Sequence, residues 1–202
     1  MTAARIRKAE KFLKKNDAIL GVLIDTHGPC TLMSTRKPNF HTLVWAIINQ
    51  QLSVRAAKTI ETRLLQRLNT TNFEAKNFHR IQDKTLRGCG LSGSKVRYIR
   101  ELARQVRCGD LVLDEMQQLE DEVVSERLMT LPGIGRWTAD MFLMFSLGRL
   151  DVLPIGDLAL RKSIQQLYGL SGDIDYENYI EVAECWRPYR TVASWYCWAA
   201  VD

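Results

Sequence analysis

The sequence predicts an all-α fold. Apolar residues recur at three- and four-residue steps along most of the chain, no run alternates apolar and polar residues between turn signals, and glycine and proline punctuate the periodic stretches. Helices are expected over 4–25, 41–66, 95–107, 114–130, 137–147, 158–168 and 176–199. Strands are at best minor. There is no internal repeat, low-complexity tract or long linker.

The elements follow in order. The first lies in "MTAARIRKAEKFLKKND", which is charged and amphipathic rather than a basic stub leading into an apolar run, so it does not read as a targeting segment. In 41–66, Leu43, Ile47, Ala56, Ile60 and Leu64 form a stripe for burial, but the polar "NQQLS" interrupts it. That suggests two helices parted by a short turn, the alternative being one helix with exposed glutamines. Val96, Ile99, Leu102 and Val106 make the next stripe, and Val123, Val124 and Leu128 mark the one after. "WTADMFLMFSL" continues helical, and Leu158, Ile164 and Leu167 form a stripe that Gly169 stops.

A chain of 202 residues can build one large domain or two small lobes on a shared core. Its 28 Lys and Arg against 23 Asp and Glu leave a charge of +5 and a pI near 9.0, which suits an anionic partner or simply a soluble basic protein. Cys30, Cys89, Cys108, Cys185 and Cys197 are scattered and odd in number, with no CxxC pair, so they read as reduced thiols. No stretch approaches the ~18 apolar residues of a membrane span. An intracellular protein with no membrane association is expected.

Between two helical segments stands "LPGIGRWTADMF". Pro132 pushes the preceding residue out of the helical region and ends the first helix. Gly133 and Gly135 permit positive φ and close backbone approach, and the following helix turns its free N–H groups and positive dipole end outward. Such a turn can receive an anion such as phosphate. A dinucleotide fingerprint would need a preceding strand and a third glycine, but Thr138 occupies that place; an ordinary helical corner is the other reading.

The chain resembles the helix-hairpin-helix DNA glycosylases, which carry an LPGIG-type hairpin followed downstream by an aspartate. Here Leu131-Pro132-Gly133-Ile134-Gly135 is followed by Asp157, 22 residues after Gly135. "AIINQQLSVRAAKTI" looks like the family's minor-groove wedge region, "GCGLSGSKVRYIRELA" like its second backbone-binding turn, and "CWRPYRTVASWYCW" like the C-terminal segment of its alkylpurine branch. The likeness spans roughly residues 8–200. It implies a helix-hairpin-helix glycosylase fold of two helical lobes with the active-site cleft between them. The implied unit is 1–202, with 30–150 a central lobe holding the hairpin and the N- and C-terminal helices forming the second lobe.

Single positions choose the branch. The glycosylase/lyases carry a Schiff-base lysine two residues after the second hairpin glycine, where this chain has Trp137. Of the cysteines that would hold an iron–sulfur cluster, only Cys185 and Cys197 lie downstream of Asp157. The mismatch-adenine branch has a glutamate entering the wedge, and "TLVWAIINQQ" has none. What remains is the 3-methyladenine DNA glycosylase branch. No cofactor is implied, and a monovalent cation held by the hairpin is left open.

By the resemblance, Asp157 is the catalytic carboxylate, stabilising positive charge on the departing sugar and orienting or deprotonating water. Its position after Pro154-Ile155-Gly156 also reads as a helix N-cap, and the two roles are compatible. Gln50, Gln51, Leu52 and Ser53 form the wedge, with Gln51 or Leu52 filling the gap left by the flipped base. Trp137, Met141 and Trp198 line the base pocket, where an electron-rich ring would favour a cationic purine. Met141 stands where a bacterial member has tyrosine. Trp45, Trp186 and Trp195 are read as core. Gly133, Gly135, Thr138, Gly90, Ser92, Ser94 and Lys95 would contact the DNA backbone. The three histidines, His27, His41 and His79, are distant in sequence from Asp157.

The resemblance thus implies a monomeric, monofunctional glycosylase of base excision repair acting on duplex DNA with alkylated bases or abasic sites. Such a protein would work in a nucleus, or in the cytoplasm and nucleoid of a bacterium. The rival is a lesion or abasic-site binder on the same fold with little or no catalysis, and a third reading is a helical DNA-binding module without damage specificity.

Overall fold

Asp17 shows how the first predicted helix resolves. The residue stands inside a helical pattern, yet its side chain accepts the Leu20 N–H at 2.9 Å while its own N–H reaches Leu13 O. A carboxylate that competes for backbone donors ends one helix and caps the next. The structure is a computed structural model that describes residues 2–32, 37–172 and 174–201. Among these residues the helices are α1 Ala3–Asn16, α2 Ala18–His27, α3 Asn39–Asn49, α4 Val54–Leu68, α5 Asp83–Gly88, α6 Gly93–Cys108, α7 Asp121–Met129, α8 Arg136–Phe142, α9 Leu158–Tyr168, α10 Tyr176–Glu184 and α11 Arg190–Ala199. No strand forms among them, and none of the helices is long and apolar enough to cross a membrane.

The chain divides into two compact units, Lys37–Leu147 and Met1–Arg36 with Gly148–Asp202. In the first, α3 is the central helix and packs against α8, α4 and α6. Its Phe40, Leu43, Val44, Ala46, Ile47 and Ile48 are all buried, and each of the larger ones contributes about 1.5–3 kcal/mol when fully buried. A polar cluster lies beside it. Buried His41 accepts the Phe73 N–H on Nδ1 and turns Nε2 toward Glu61, 3.4 Å away, which holds the Glu61 carboxyl below its ordinary pKa.

In the second unit α11 packs against α2, α1 and α9 around Leu20, Ile164, Val192, Ala193 and Cys197. Trp186 is fully buried, and its indole N–H donates to Asp17 at 2.8 Å, so this tryptophan is core with its polar atom satisfied.

Several predicted segments subdivide. Segment 41–66 is indeed two helices, separated at Gln50–Ser53. Segment 114–130 becomes a 3-10 turn at Leu113–Gln118 followed by α7, and 176–199 breaks between α10 and α11 around Pro188. Segment 137–147 changes pitch, with α8 passing into a π-helical turn at Leu143–Leu147. The short α5 and a 3-10 turn at Ala75–Phe78 were not expected, because neither is long enough to show a period.

Candidate active site

The hairpin requires glycine at one of its two glycine positions. Gly133 has φ 79°, and a Cβ placed on it would stand 2.1 Å from the Tyr98 ring, so both backbone and space demand glycine. Gly135 differs. It is the N-cap of α8 with extended backbone, a Cβ would meet nothing within 4 Å, and no side chain caps the helix start. Leu131 and Ile134 are buried on either side of Gly133 and fix the turn to the unit beneath it. The result is an exposed glycine ahead of an uncapped helix start, a geometry that suits an anion.

The wedge loop occupies the break between α3 and α4. Gln51 takes φ 56°, a left-handed conformation that costs a non-glycine residue roughly 1 kcal/mol, and Ser53 caps α4 by accepting the Ala56 N–H. Gln51, Leu52 and Ser53 are exposed, as is Val54, which the sequence reading did not include and which is 74% accessible. Gln50 is not part of this projecting edge. Its amide donates to Gly133 O at 2.8 Å and to Thr138 Oγ1 at 3.0 Å, tying the loop to the hairpin.

Two residues expected at the DNA backbone are therefore turned inward. Thr138 is buried, and its hydroxyl takes the Gln50 amide. Lys95 donates its ammonium to Ile48 O and Gln50 O, both at 2.8 Å, and burial draws it below the usual lysine pKa. A cation against the last carbonyls of a helix meets the negative end of the dipole, which explains why the side chain folds back. The rest of that turn is better placed. Ser92 is exposed, caps α6 through the Lys95 N–H and pairs with Ser94 at 3.0 Å, while Gly90 is exposed at φ 109°.

Trp137 is half-buried at the start of α8, and Met141 is buried on the same helix. Trp45 was read as core but is half-buried, edge-on to half-buried Phe145 with ring centroids 5.5 Å apart. Phe145 stands in the π-helical turn, a distortion that often marks functional sites. Trp195, also read as core, is half-buried too. Helical spacing separates an inner face from an outer one and does not give the depth of burial. Asp140 was also missed. It is 2% accessible, and burial pushes its carboxyl up to about 6 against the pull of Arg136, whose Nε lies 3.0 Å away and whose Nη1 also pairs with Glu122.

In the other unit Asp157 is the N-cap of α9, half-buried, with Oδ1 accepting the Leu160 N–H at 2.8 Å and the Trp198 indole N–H at 3.1 Å. Trp198, expected as a stacking surface, is thus also a donor to the carboxylate. The loop before Asp157 is braced at several points. Asp151 pairs with Arg190 and Arg187, Thr191 N–H donates to Leu150 O, the Val152 N–H donates to Thr191 Oγ1, and Arg161 donates to Ile155 O. A carboxylate held by two donors at a helix start is fixed and aimed, as charge stabilisation requires. Among the described residues no three His, Cys, Asp or Glu side chains are grouped so as to hold a metal ion.

A family model described as HhH-GPD superfamily base excision DNA repair protein matches residues 44–188. DNA-3-methyladenine glycosylase 1 of Schizosaccharomyces pombe is 32% identical, covering 92% of this chain and 82% of the relative. The alkylbase DNA glycosidase-like protein mag2 of the same yeast is 30% identical, covering 95% and 92%. Among solved structures, the S. pombe 3-methyladenine DNA glycosylase in complex with abasic DNA matches with a TM-score of 0.85 at 31% identity over 95% of each chain. The DNA-3-methyladenine glycosidase of Bacillus halodurans matches with a TM-score of 0.77 at 36% identity, covering 96% of this chain and 89% of that one.

Proposed function

The chain belongs to the HhH-GPD superfamily of base excision DNA repair proteins, and we propose that within it the protein is a monofunctional glycosylase that releases alkylated purines such as 3-methyladenine from duplex DNA. The observation that carries this reading is the Asp157 carboxylate, fixed at the start of α9 by the Leu160 and Trp198 donors. Relatives named as 3-methyladenine glycosylases over most of both chains support the choice of substrate.

The duplex backbone rests on the exposed hairpin glycine and the Gly90–Ser94 turn, while Gln51 or Leu52 enters the gap left by the flipped nucleotide. Flipping costs a few kcal/mol, least for a damaged base, and aromatic stacking returns about 1–3 kcal/mol. The alkylated purine leaves with the electron pair of its N-glycosidic bond and becomes neutral. The sugar carries positive charge as that bond breaks, and Asp157 stabilises it. Water then bonds to C1′ and gives up a proton to the carboxylate or to solvent, leaving an abasic site. Trp137 has no amine for a Schiff base, so the strand is left uncut. The reaction takes water as its only co-substrate, the protein acts as a monomer, and its substrate places it in the compartment that holds DNA.

Mass measurement of bases released from methylated duplex tests this. The wild type is expected to release 3-methyladenine without strand scission. Binding to abasic duplex with no release from any methylated substrate would replace this reading by that of a lesion-binding protein.

A further inference from the structure

Lys95 and Gln50 share one chain of contacts. The Lys95 ammonium, at the first turn of α6, donates to the carbonyls of Ile48 and Gln50, where α3 ends and the wedge loop begins. The Gln50 amide then uses both hydrogens of its single nitrogen, one on Gly133 O in the hairpin and one on Thr138 Oγ1 in α8. One turn beyond Lys95, the Tyr98 ring fills the space over Gly133 that a Cβ would otherwise occupy. The contacts close on themselves: from α6 to the wedge loop, from the loop to the hairpin, and from the hairpin back to α6.

We propose that Lys95 and Gln50 are positioning residues, which hold the wedge loop in fixed register with both backbone-binding turns so that the edge formed by Gln51, Leu52 and Val54 enters the duplex preorganised. This rests on the reading of the protein as a DNA glycosylase. The placement explains why a lysine beside a backbone-binding turn is directed away from solvent: an ammonium committed to two carbonyls is withdrawn from phosphate. It also explains how Gln51 is kept at φ 56°, since the residue before it is held by backbone and side chain and Ser53 after it is locked as the α4 cap. A loop anchored on both sides loses little freedom when its exposed residues meet DNA.

The test uses the full chain and a duplex with 2-aminopurine opposite a tetrahydrofuran abasic analogue, whose fluorescence reports disturbance of the base stack, alongside an intact duplex. Lys95→Met keeps the apolar stem and removes the donors, Lys95→Arg restores two donors, and Thr138→Val removes one acceptor of Gln50 at nearly constant volume. The wild type is expected to prefer the abasic duplex. Lys95→Met is expected to lower that preference about tenfold and to weaken the fluorescence change, with the salt dependence of intact-duplex binding unaltered; Thr138→Val does the same to a smaller degree, and Lys95→Arg recovers most of the loss. A fall in the salt slope by about one phosphate contact with the abasic preference retained would make Lys95 a phosphate ligand and overturn the proposal. An unchanged preference and fluorescence in folded Lys95→Met and Thr138→Val would overturn it as well, and if Lys95→Met does not fold, Thr138→Val alone decides. If the wild type itself shows no preference for abasic over intact duplex, the glycosylase reading fails first and the proposal falls with it.

Discussion

Helices α8 and α9, one in each unit, both begin at residues the sequence singles out, yet their first turns are built in opposite ways. At α8 the N-cap is exposed Gly135, no side chain satisfies the helix start, and nothing stands where a Cβ would be. At α9 the N-cap is Asp157, whose carboxylate accepts both the Leu160 N–H and the Trp198 indole. Both starts favour negative charge, because each presents the positive end of a helix dipole. The difference lies in whose charge it is. An uncapped start with glycine in front suits an anion brought by the ligand, whereas a capped start keeps its own anion and offers it to a positive charge that exists only during reaction. Under the proposed function, one element of physics supplies both an anchor and a catalyst, and the residue at the N-cap decides which.

This contrast can be broken at either end. The largest effect on the anchor is expected from Gly133→Ala, which forces a side chain into positive φ and against Tyr98; a loss of about 3 kcal/mol in stability together with weakened DNA binding should be seen by urea denaturation and titration. On the catalytic side, Trp198→Phe keeps an aromatic surface but removes one donor to the carboxylate. Single-turnover base release should slow roughly tenfold, since a hydrogen bond to a charged group is worth about 1.5–3 kcal/mol, while affinity for abasic duplex changes little. Equal loss of rate and binding would show that Trp198 acts only as a wall.

Gly135→Ala sharpens the comparison. Its φ of −106° is open to any residue and its surroundings are empty, so unfolding free energy should stay within about 0.5 kcal/mol of wild type while DNA affinity falls because the backbone can no longer be approached. The smallest effect concerns Asp140. Its folded pKa is raised from 3.8 to about 6 by burial, so between those values the native state binds more protons than the unfolded chain and stability falls as pH rises through that window. Asp140→Asn has no proton to release and should lack this decline. Denaturation midpoints at about pH 4.5 and about pH 7 would show it as a difference between the two proteins that changes with pH, and a constant difference would contradict it.

Much of the fold was legible because its signals are local. The stripes on α3, α4 and α6 are regular, Gly169 stops α9 in the left-handed conformation, and "NQQLS" marks a true break. The hairpin was legible for the same reason, since Gly133 and Pro132 act on their own backbone. The split at Asp17 was not, because a single carboxylate competing for an N–H leaves the apolar period intact on either side. Lys95, Thr138 and Gln50 are a different case. Their residue types fit DNA contact, but their partners lie on other helices, and only the packing of α3, α6 and α8 shows that those polar groups are already in use. Trp45 and Phe145 illustrate a third limit, since an aromatic on a helical stripe looks the same from the sequence whether it is fully buried or half-exposed.

The account depends most on Asp157, and the direct measurement is single-turnover release of 3-methyladenine from methylated duplex by wild type and Asp157→Asn, with abasic-duplex affinity determined for both. Asn keeps the shape and an oxygen for the Leu160 N–H but carries no charge. The expected result is a rate lower by about 10²–10³ or more with affinity largely retained. A variant that releases the base at the wild-type rate would contradict the assignment of Asp157 as the group that carries the reaction.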